Sequence, residues 1–557
     1  MALNPSSQAN TAVEVIDGTV SEFYNVMDQC IRRSEVMPGQ YKSITSPSYS
    51  NNCPIDESSF TTVDIGCPAP QVVDINNSFI TATIEVPVHF PAGFKVHGNA
   101  CTFFIGWRSS LDMLRRYIIY CNHKLVHDQV YVGEESFILQ SLIPEHVRCR
   151  RPYQYTTYEN ASNFSPDVCG TYITLTSANV GGGEANKDDP ADIGAFDMTV
   201  SIPIKLDINQ FILFQNFKYL PGFCGTWSIK LYPSSQNMII CPVDPKVRMT
   251  AAELNAVAGK DLSDYDHHFV QIGDSVRCLT QLCTVASRVA TVPPTFESKT
   301  ITIGRARVKE VLYHQTQFEL MYDIYDGLKA RYMARPLTIP VNKLEYGRFS
   351  GAIKDNSSTY TSAVSNVESI FILPFPDDDH HTVCVNPQFE NLYLSISGWG
   401  NFPQQPFNTF GNDEKHTRFV NMTLDALNIN NSPIMAPNKD LLNSLETKKI
   451  DYYKHHYSGS AYTNTIYMTQ PKFDNTNFLI GIPFSNDIDF QGGLTSNGNI
   501  NIKLASTTNI YSDSHSEHVA GGGIGATVMF CSDCALMIKV IPYADQPEVR
   551  LVTEKIV

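Results

Sequence analysis

Residues Phe375 to Val383 read FPDDDHHTV, which sets three aspartates and two histidines together in a chain that is otherwise sparing with charge. Carboxylate beside imidazole is the chemistry of a metal site or of an acid/base pair. Asp377, Asp379, His380 and His381 are the weak candidates for metal ligands. Two physical points weigh against them. Alternate side chains of an extended run point apart, so five consecutive residues cannot all converge on one ion. A working site also needs a further ligand or an orienting partner, and the sequence nominates none. Pro376 ends the apolar run SIFILPF and VCVNPQFENLYLSI resumes strand texture, so the stretch reads as a solvated loop between two core strands.

Other chemistry is sparser. CSDC (Cys531–Cys534) is a lone C-x-x-C, and a tetrahedral zinc needs a second pair of ligands. His515 and His518 are the nearest histidines, and three residues apart they would face opposite sides of a strand. Ser and Asp at its centre suggest a turn. HVAGGGIGATV (His518–Val528) lacks the Lys-Ser/Thr of a phosphate loop and reads as a glycine turn before a last hairpin. VRCRRPYQY (Val147–Tyr155) is the densest basic patch, either a face for an acidic partner or a solvated edge. There is no G-x-S-x-G elbow, no H-E-x-x-H and no calcium-loop pattern. The sequence therefore gives no catalytic residues, no cofactor and no enzyme.

The elements around these residues are mostly strands. From about Ser58, short runs of β-branched and aromatic residues alternate with turn residues. SFITATIEVPVHF (Ser78–Phe90), CTFFIGW (Cys101–Trp107), FDMTVSIPIKL (Phe196–Leu206) and TWSIKLYPSSQNMIICPV (Thr226–Val243) are examples. RYIIYCNHKLVHD predicts a hairpin about Asn122-His123. The second half continues with VESIFILPF (Val367–Phe375), FENLYLSISGW (Phe389–Trp399), NFLIGIPFSNDIDF (Asn477–Phe490), NINIKLA (Asn499–Ala505) and ATVMFCSDCALMIKVIPY (Ala526–Tyr543). SIPIKLDINQF followed by WSIKLYP is echoed by GIPFSNDIDFQ followed by NINIKLA, each copy near the end of its half. That order points to one β-domain duplicated.

Helices are few. TVSEFYNVMDQCIRRSEVM (Thr19–Met37) opens on a capping-box pattern, Thr19 with Glu22. It carries Val20, Phe23, Val26, Met27, Cys30 and Ile31 on one face. That stripe must be buried either beneath its own domain or against a neighbour or membrane surface. MTAAELNAVAGK and DSVRCLTQLCTVASRVA (Asp274–Ala290) read as helices near a domain boundary, and Val-Pro-Pro-Thr at 292–295 punctuates them. The expected organisation is an N-terminal arm at 1–57, a first β-domain at 58–248 and a helical linker at 249–295. A second β-domain at 296–545 and a tail at 546–557 complete it. Two large antiparallel domains fit paired sandwiches better than barrels or propellers, with the jelly roll as the natural form. The polar insertion at 177–194 has the composition of an exposed loop.

Composition agrees. At 557 residues the chain is too long for one core, and 43% apolar with only 17% charged residues marks a globular protein. Aromatics at 11% suit large β-rich cores. A net charge of −15 without a basic run argues against direct, sequence-specific nucleic-acid binding. No window approaches a membrane span, and MALNPSSQANTAVE has no secretory pattern. The 14 cysteines follow no framework spacing and read as reduced thiols of a protein made in a cytoplasm or nucleus.

RFVNMTLDALNINNSPI (Arg418–Ile434) and FLIGIPFSNDIDFQGGLTSNGNINIKLA (Phe478–Ala505) carry a resemblance. INNSFITATIEVPV (Ile75–Val88) and FFIGWRSSLDMLRRYIIYCNHKLV (Phe103–Val126) add to it. Together they resemble the double jelly-roll major capsid proteins of Polinton/Maverick elements, adintoviruses and polinton-like viruses, in the tectivirus–adenovirus lineage. The resemblance runs from about Asn76 to Tyr543 and is most specific at 418–432 and 484–493. The N-terminal helix, the glycines at 181–183 and the stretch 440–470 depart from it. It implies an all-β fold with minor helices: two tandem eight-stranded antiparallel jelly-roll sandwiches. It further implies a homotrimer of pseudo-hexagonal outline that tiles an icosahedral virion shell. Neighbouring trimers, penton and minor capsid proteins and an inner membrane would be its partners. Phe23, Val26, Met27, Cys30 and Ile31 would then make base or inter-capsomer contacts. A jelly-roll carbohydrate-binding protein and a metal-dependent enzyme on a β scaffold are the alternatives.

Overall fold

The computed structural model describes residues 21–32, 42–47, 52–55, 58–90, 100–105, 110–133, 171–176, 195–233, 240–241, 248–249, 269–271, 282–289, 295–303, 305–348, 364–375, 391–396, 400–409, 413–427, 478–484, 494–496, 500–503, 525–541 and 547–552, with Glu135, Ile138 and Phe389. They are mostly β-sheet with few helices.

Helix α1 spans residues 21–32. The first sandwich then uses eight strands in chain order: β1 (Lys42–Pro47), β2 (Thr61–Ile65), β3 (Gln71–Phe90), β4 (Leu114–Cys121), β5 (Lys124–Val130), β6 (Phe196–Asp207), β7 (Trp227–Pro233) and β8 (Arg307–Glu319). One sheet runs β1–β8–β3–β6 and the facing sheet β2–β7–β4–β5, all antiparallel. Consecutive strands thus alternate between sheets except at the β4–β5 hairpin. This is the winding of a jelly roll. Period-two patterning gives each strand one core face and one wet face. In β7, WSIKLYP, every odd residue is buried and every even one half-exposed, and β2 repeats the pattern. At the hairpin turn Asn122 and His123 have φ of 48° and 65°, so both sit in the left-handed region that a two-residue turn of this twist needs.

Helix α2 (Tyr322–Ala334) leads out of the first roll, burying Tyr325, Leu328 and Tyr332 from one face. The second roll follows with β9 (Leu337–Arg348), β10 (Val364–Phe375), β11 (Leu392–Ile396), β12 (Gly400–Phe407), helix α3 (Glu414–Ala426), β13 (Ile480–Pro483), β14 (Ile500–Lys503) and β15 (Gly525–Lys539). Its sheets run β9–β15–β10–β13 and β14–β11–β12. Position by position this is the order of the first roll. The place in the chain where a counterpart of β2 would stand, residues 349–363, lies outside the described residues. The duplication suggested by the two IPIKL-like and IPFSN-like segments is therefore present as topology.

Several expectations need correction. Residues 282–289, expected in a helix, form a strand antiparallel to 295–303, with Leu282 opposite Thr302 and Val289 opposite Thr295. The apolar spacing fits either period, and the β-branched Thr284, Val285 and Val289 favour the strand. Both strands extend the first roll's sheet, because Thr302 and Ile303 pair with the far end of β3. The change of sheet falls at α2 and not within 249–295, since β8 closes the first roll beside β3. Of MTAAELNAVAGK only Met249 and its neighbour Arg248 are described, and they are extended. The N-terminal arm contributes β1 to a sheet. The C-terminal tail contributes β16 (Glu548–Val552), paired with the end of β15. CSDC is not a turn between two strands. It lies inside the single 15-residue strand β15, in unbroken register with β9 from Thr527 to Ile538.

Two apolar cores result. The first holds the first roll together with Phe23, Met27 and Cys30 of α1 and with Tyr325, Leu328 and Tyr332 of α2. It also takes Leu337, Ile339 and Val341 of β9 and Cys534, Leu536 and Ile538 of β15. The second holds the remainder of the second roll and, from the first, Ile138 and Ile212. The long strands β9 and β15 therefore carry one end in each core.

Candidate functional site

Of the residues nominated for metal chemistry, Asp377, Asp379, His380 and His381 lie outside the described residues, as do His515, His518 and the basic run 147–155. Cys531 and Cys534 are three apart on β15, so their side chains leave opposite faces. Cys534 enters the first core and Cys531 packs against the second. Among the described residues no group of three or more His, Cys, Asp or Glu could hold a metal ion. No helix among them is long and apolar enough to cross a membrane.

The stripe on α1 is used within the chain. Phe23, Met27 and Cys30 are buried, and Val26 and Ile31 pack partly buried beside them. The Phe23 ring meets Tyr332 of α2 edge-on, with centroids 5.7 Å apart. Two polar links fix the helix further. Tyr24 Oη donates to the Asn216 carbonyl at 2.7 Å and accepts from the Lys218 amide at 3.1 Å. Asp28 accepts from Lys218 Nζ at 2.8 and 2.6 Å and from Tyr219 Oη at 2.8 Å. Partial burial pulls the Asp28 carboxyl upward. The hydrogen bonds from Lys218 and Tyr219, with the charges of Lys218 and Arg32, outweigh it and hold the group below the usual carboxylate range. Glu22 pairs with Arg331 of α2. Asn25, Gln29 and Arg32 form the exposed side.

The joint between the rolls is the other organised surface. The β5–β6 side of the first roll meets the β9 edge of the second. Asn216 Nδ2 donates to the Pro340 carbonyl at 2.9 Å, and the rings of Tyr131 and Tyr346 stand 4.4 Å apart at 73°. Strand β16 lies against β5. The first roll brings buried polar groups to this joint. Glu135, in the helical segment after β5, is 0% exposed. Its Oε1 accepts from Tyr117 Oη at 2.7 Å and from the Ile212 amide at 3.2 Å, and its Oε2 has no partner among the described residues. Burial pushes the Glu135 carboxyl up to about 8 against the pull of these two donors. Burial, then the carboxylate of Glu135, pushes Tyr117 well above the usual phenol range, so it stays a donor. Burial, with the nearby charge of Lys343, lowers His127 to about 4. None of these groups stands out in the sequence. The nearest signal is a lone glutamate pair, Glu134-Glu135, following an apolar strand.

The outer face of the β2–β7–β4–β5 sheet is aromatic and basic. Lys230 Nζ lies 5.1 Å from the Phe60 ring centroid and 4.9 Å from that of Tyr120, and Arg116 forks onto Asp128 at 2.8 and 2.5 Å. Lys230 thus caps both the Phe60 and Tyr120 rings on this face.

No family model matches the sequence, and no curated protein matches it. Among solved structures, the chain is similar to the cryo-EM structure of the Sputnik virophage at 10% identity and a TM-score of 0.48, over 93% of this chain and 90% of that one. It is similar to the mavirus major capsid protein at 11% identity and 0.41, over 93% and 91%. It is also similar to the Faustovirus major capsid protein at 8% identity and 0.37, over 95% and 98%.

Proposed function

We propose that the chain is a viral major capsid protein, structural and non-enzymatic, whose homotrimer has a pseudo-hexagonal outline and tiles an icosahedral shell. The joint between its two rolls carries this reading. That joint is heterologous: the β5–β6 side of one roll meets the β9 edge of the other. Because both rolls share one strand order, the second roll has a side of the first kind, built by β12, α3 and β13. The first roll likewise has an edge of the second kind, β1. Two unlike ends can repeat the internal joint between copies, and a head-to-tail contact of this sort closes as a ring. Three chains give six similar rolls, the outline that packs a surface without gaps. Ile44 on β1 is 41% exposed, an apolar side chain on the edge that such a joint covers.

The resemblance at 418–432 and 484–493 supports assignment to the Polinton/Maverick, adintovirus and polinton-like group. Neighbouring trimers, penton and minor capsid proteins or an inner membrane would meet the α1 end. Since Phe23, Met27 and Cys30 face inward, such contacts would run through Asn25, Gln29 and Arg32, with Val26 and Ile31 at the margin. The test is the mass and shape of the expressed chain. Light scattering should give three times the 62.2 kDa of one chain, and electron microscopy should show hexagonal outlines or shells. Ile44→Asp should return it to single chains with unchanged far-ultraviolet dichroism. A wild-type chain that stays single at assembly concentrations overturns the reading.

A further inference from the structure

Glu135 stands where three parts of the first roll converge on the second. It comes from the helical segment after β5, its Tyr117 donor comes from β4, and its Ile212 donor opens the short turn 212–214 that follows β6. Ile212 itself is buried in the second core, which also holds Leu344 and Val367. One carboxyl oxygen thus gathers the β4 side chain and the turn on which the second roll rests. Among the described residues, the titratable groups around it are Tyr117 on β4, His127 on β5, whose ring lies 5.7 Å from that of Tyr117, and Lys343 on β9, whose charge reaches His127. No cation is hydrogen-bonded to the carboxyl among the described residues. A fully buried carboxyl with only neutral donors is stable as the acid, and its ionised form has lost water without gaining a counter-charge.

We propose that Glu135 is a proton-controlled latch between the two rolls: as the neutral acid it stays dry where the 212–214 turn meets β4, and on losing its proton the carboxylate, whose two donors do not replace the water it has lost, favours an opened and hydrated turn and so loosens the second roll's seat on it. The latch belongs to one chain and acts whether or not the chain forms trimers.

The sign follows from linkage. The unfolded chain gives up this proton above pH 4.5, while the folded chain keeps it to about 8. The folded state therefore binds the extra proton between these values, and stability falls as pH rises through that window. The test compares wild type with Glu135→Gln, which keeps an acceptor oxygen and stays neutral. The wild-type folding constant relative to the variant should fall about tenfold per pH unit between 4.5 and 8 and then level off. Hydrogen exchange at the Ile212 amide, corrected for its intrinsic pH dependence, should speed up as pH rises from 4.5 and level off near pH 8, in wild type only. If Glu135→Gln does not fold, Tyr117→Phe serves instead. It removes a donor that favours the charged form, so the levelling-off should move to higher pH. Parallel pH profiles for wild type and the variant, or an exchange profile that neither substitution alters, overturn the latch.

Discussion

Both rolls place a helix after the hairpin that closes the smaller sheet, and both use a side chain from it to hold a buried backbone N–H. In the first roll Glu135 accepts from Ile212. In the second, Thr423 of α3 accepts from the amide of Gly481 on β13 at 3.2 Å. The same architectural position is filled by an ionisable group in one copy and a neutral one in the other. Duplication preserved the geometric need, which is a partner for a buried donor, and left the chemistry of the partner open. Only the first roll thereby acquires a proton-dependent joint, and it is the first roll's copy that faces the second roll.

The largest way to break this comparison is to empty each core in turn. Trp227 is 0% exposed, its ring centroid 5.7 Å from Phe214 and 6.0 Å from Phe217. Phe419 of α3 is equally buried, 5.8 Å from both Phe407 and Phe478. Either residue changed to Ala should cost about 3–5 kcal/mol. Their reach should differ. Leu536 and Ile538 of β15 share the first core, so Trp227→Ala should lower exchange protection there as well as in β4 and β7. Phe419→Ala should leave β4 and β7 protected. Equal loss in both rolls from both variants would mean one cooperative unit and no separate rolls.

A smaller effect sharpens the comparison at the helix itself. A Cβ on Gly481 would stand 2.8 Å from the Ala426 Cβ and 3.2 Å from the Thr423 Cα. Gly481→Leu should therefore push α3 off β13, at about 1–3 kcal/mol for overpacking. Thr423→Val keeps the shape and removes the acceptor, leaving a buried N–H unpaired at about 1–3 kcal/mol. Denaturant titration should find the Thr423→Val loss constant between pH 5 and 8. A loss that varies with pH would erase the distinction between the neutral and the ionisable copy.

The sandwich strands were legible where one face is buried and the other wet. β7, β2 and the Asn122-His123 hairpin announce themselves through period two and turn chemistry. The expected elements include neither α2 nor α3 as a helix, although Arg418–Ala426 of α3 carries part of the resemblance. Asp413 caps α3 by accepting from the His416 amide at 2.9 Å, and His416, Phe419, Thr423 and Leu424 form its buried stripe, so a capping and periodicity signal was present. Residues 282–289 misled because a short apolar run fits both periods. CSDC misled because Ser and Asp favour turns in isolation, whereas here the flanking partners β9 and β10 hold the backbone extended. The Glu135 site was illegible in principle: its partners are 18 and 77 residues away along the chain, and only the fold brings them together.

The smallest expected effect lies at the end of the first roll, where α1 is tied down by two ion pairs of unequal surroundings. Asp28 and Lys218 have side chains 27% and 38% exposed, and Tyr219 Oη adds a second donor to the same carboxylate. Glu22 and Arg331 are 52% and 41% exposed and have solvent on most sides. Solvent screening leaves an exposed pair worth under about 1 kcal/mol, and a half-buried one with an extra hydrogen bond sits at the upper end of that range. Asp28→Asn should therefore lower stability by about 1 kcal/mol at neutral pH, and Glu22→Gln by less. The folded Asp28 carboxyl is held below its ordinary value of 3.8. Its contribution is thus present above that value and lost as pH falls through the depressed one. Denaturation curves for wild type and Asp28→Asn should stand apart at pH 7 and converge in acid, while Glu22→Gln should track wild type more closely throughout. If Glu22→Gln proves the more damaging of the two, α1 is anchored chiefly to α2 and not to the segment after β6, and the end of the first roll is organised by the linker between the rolls.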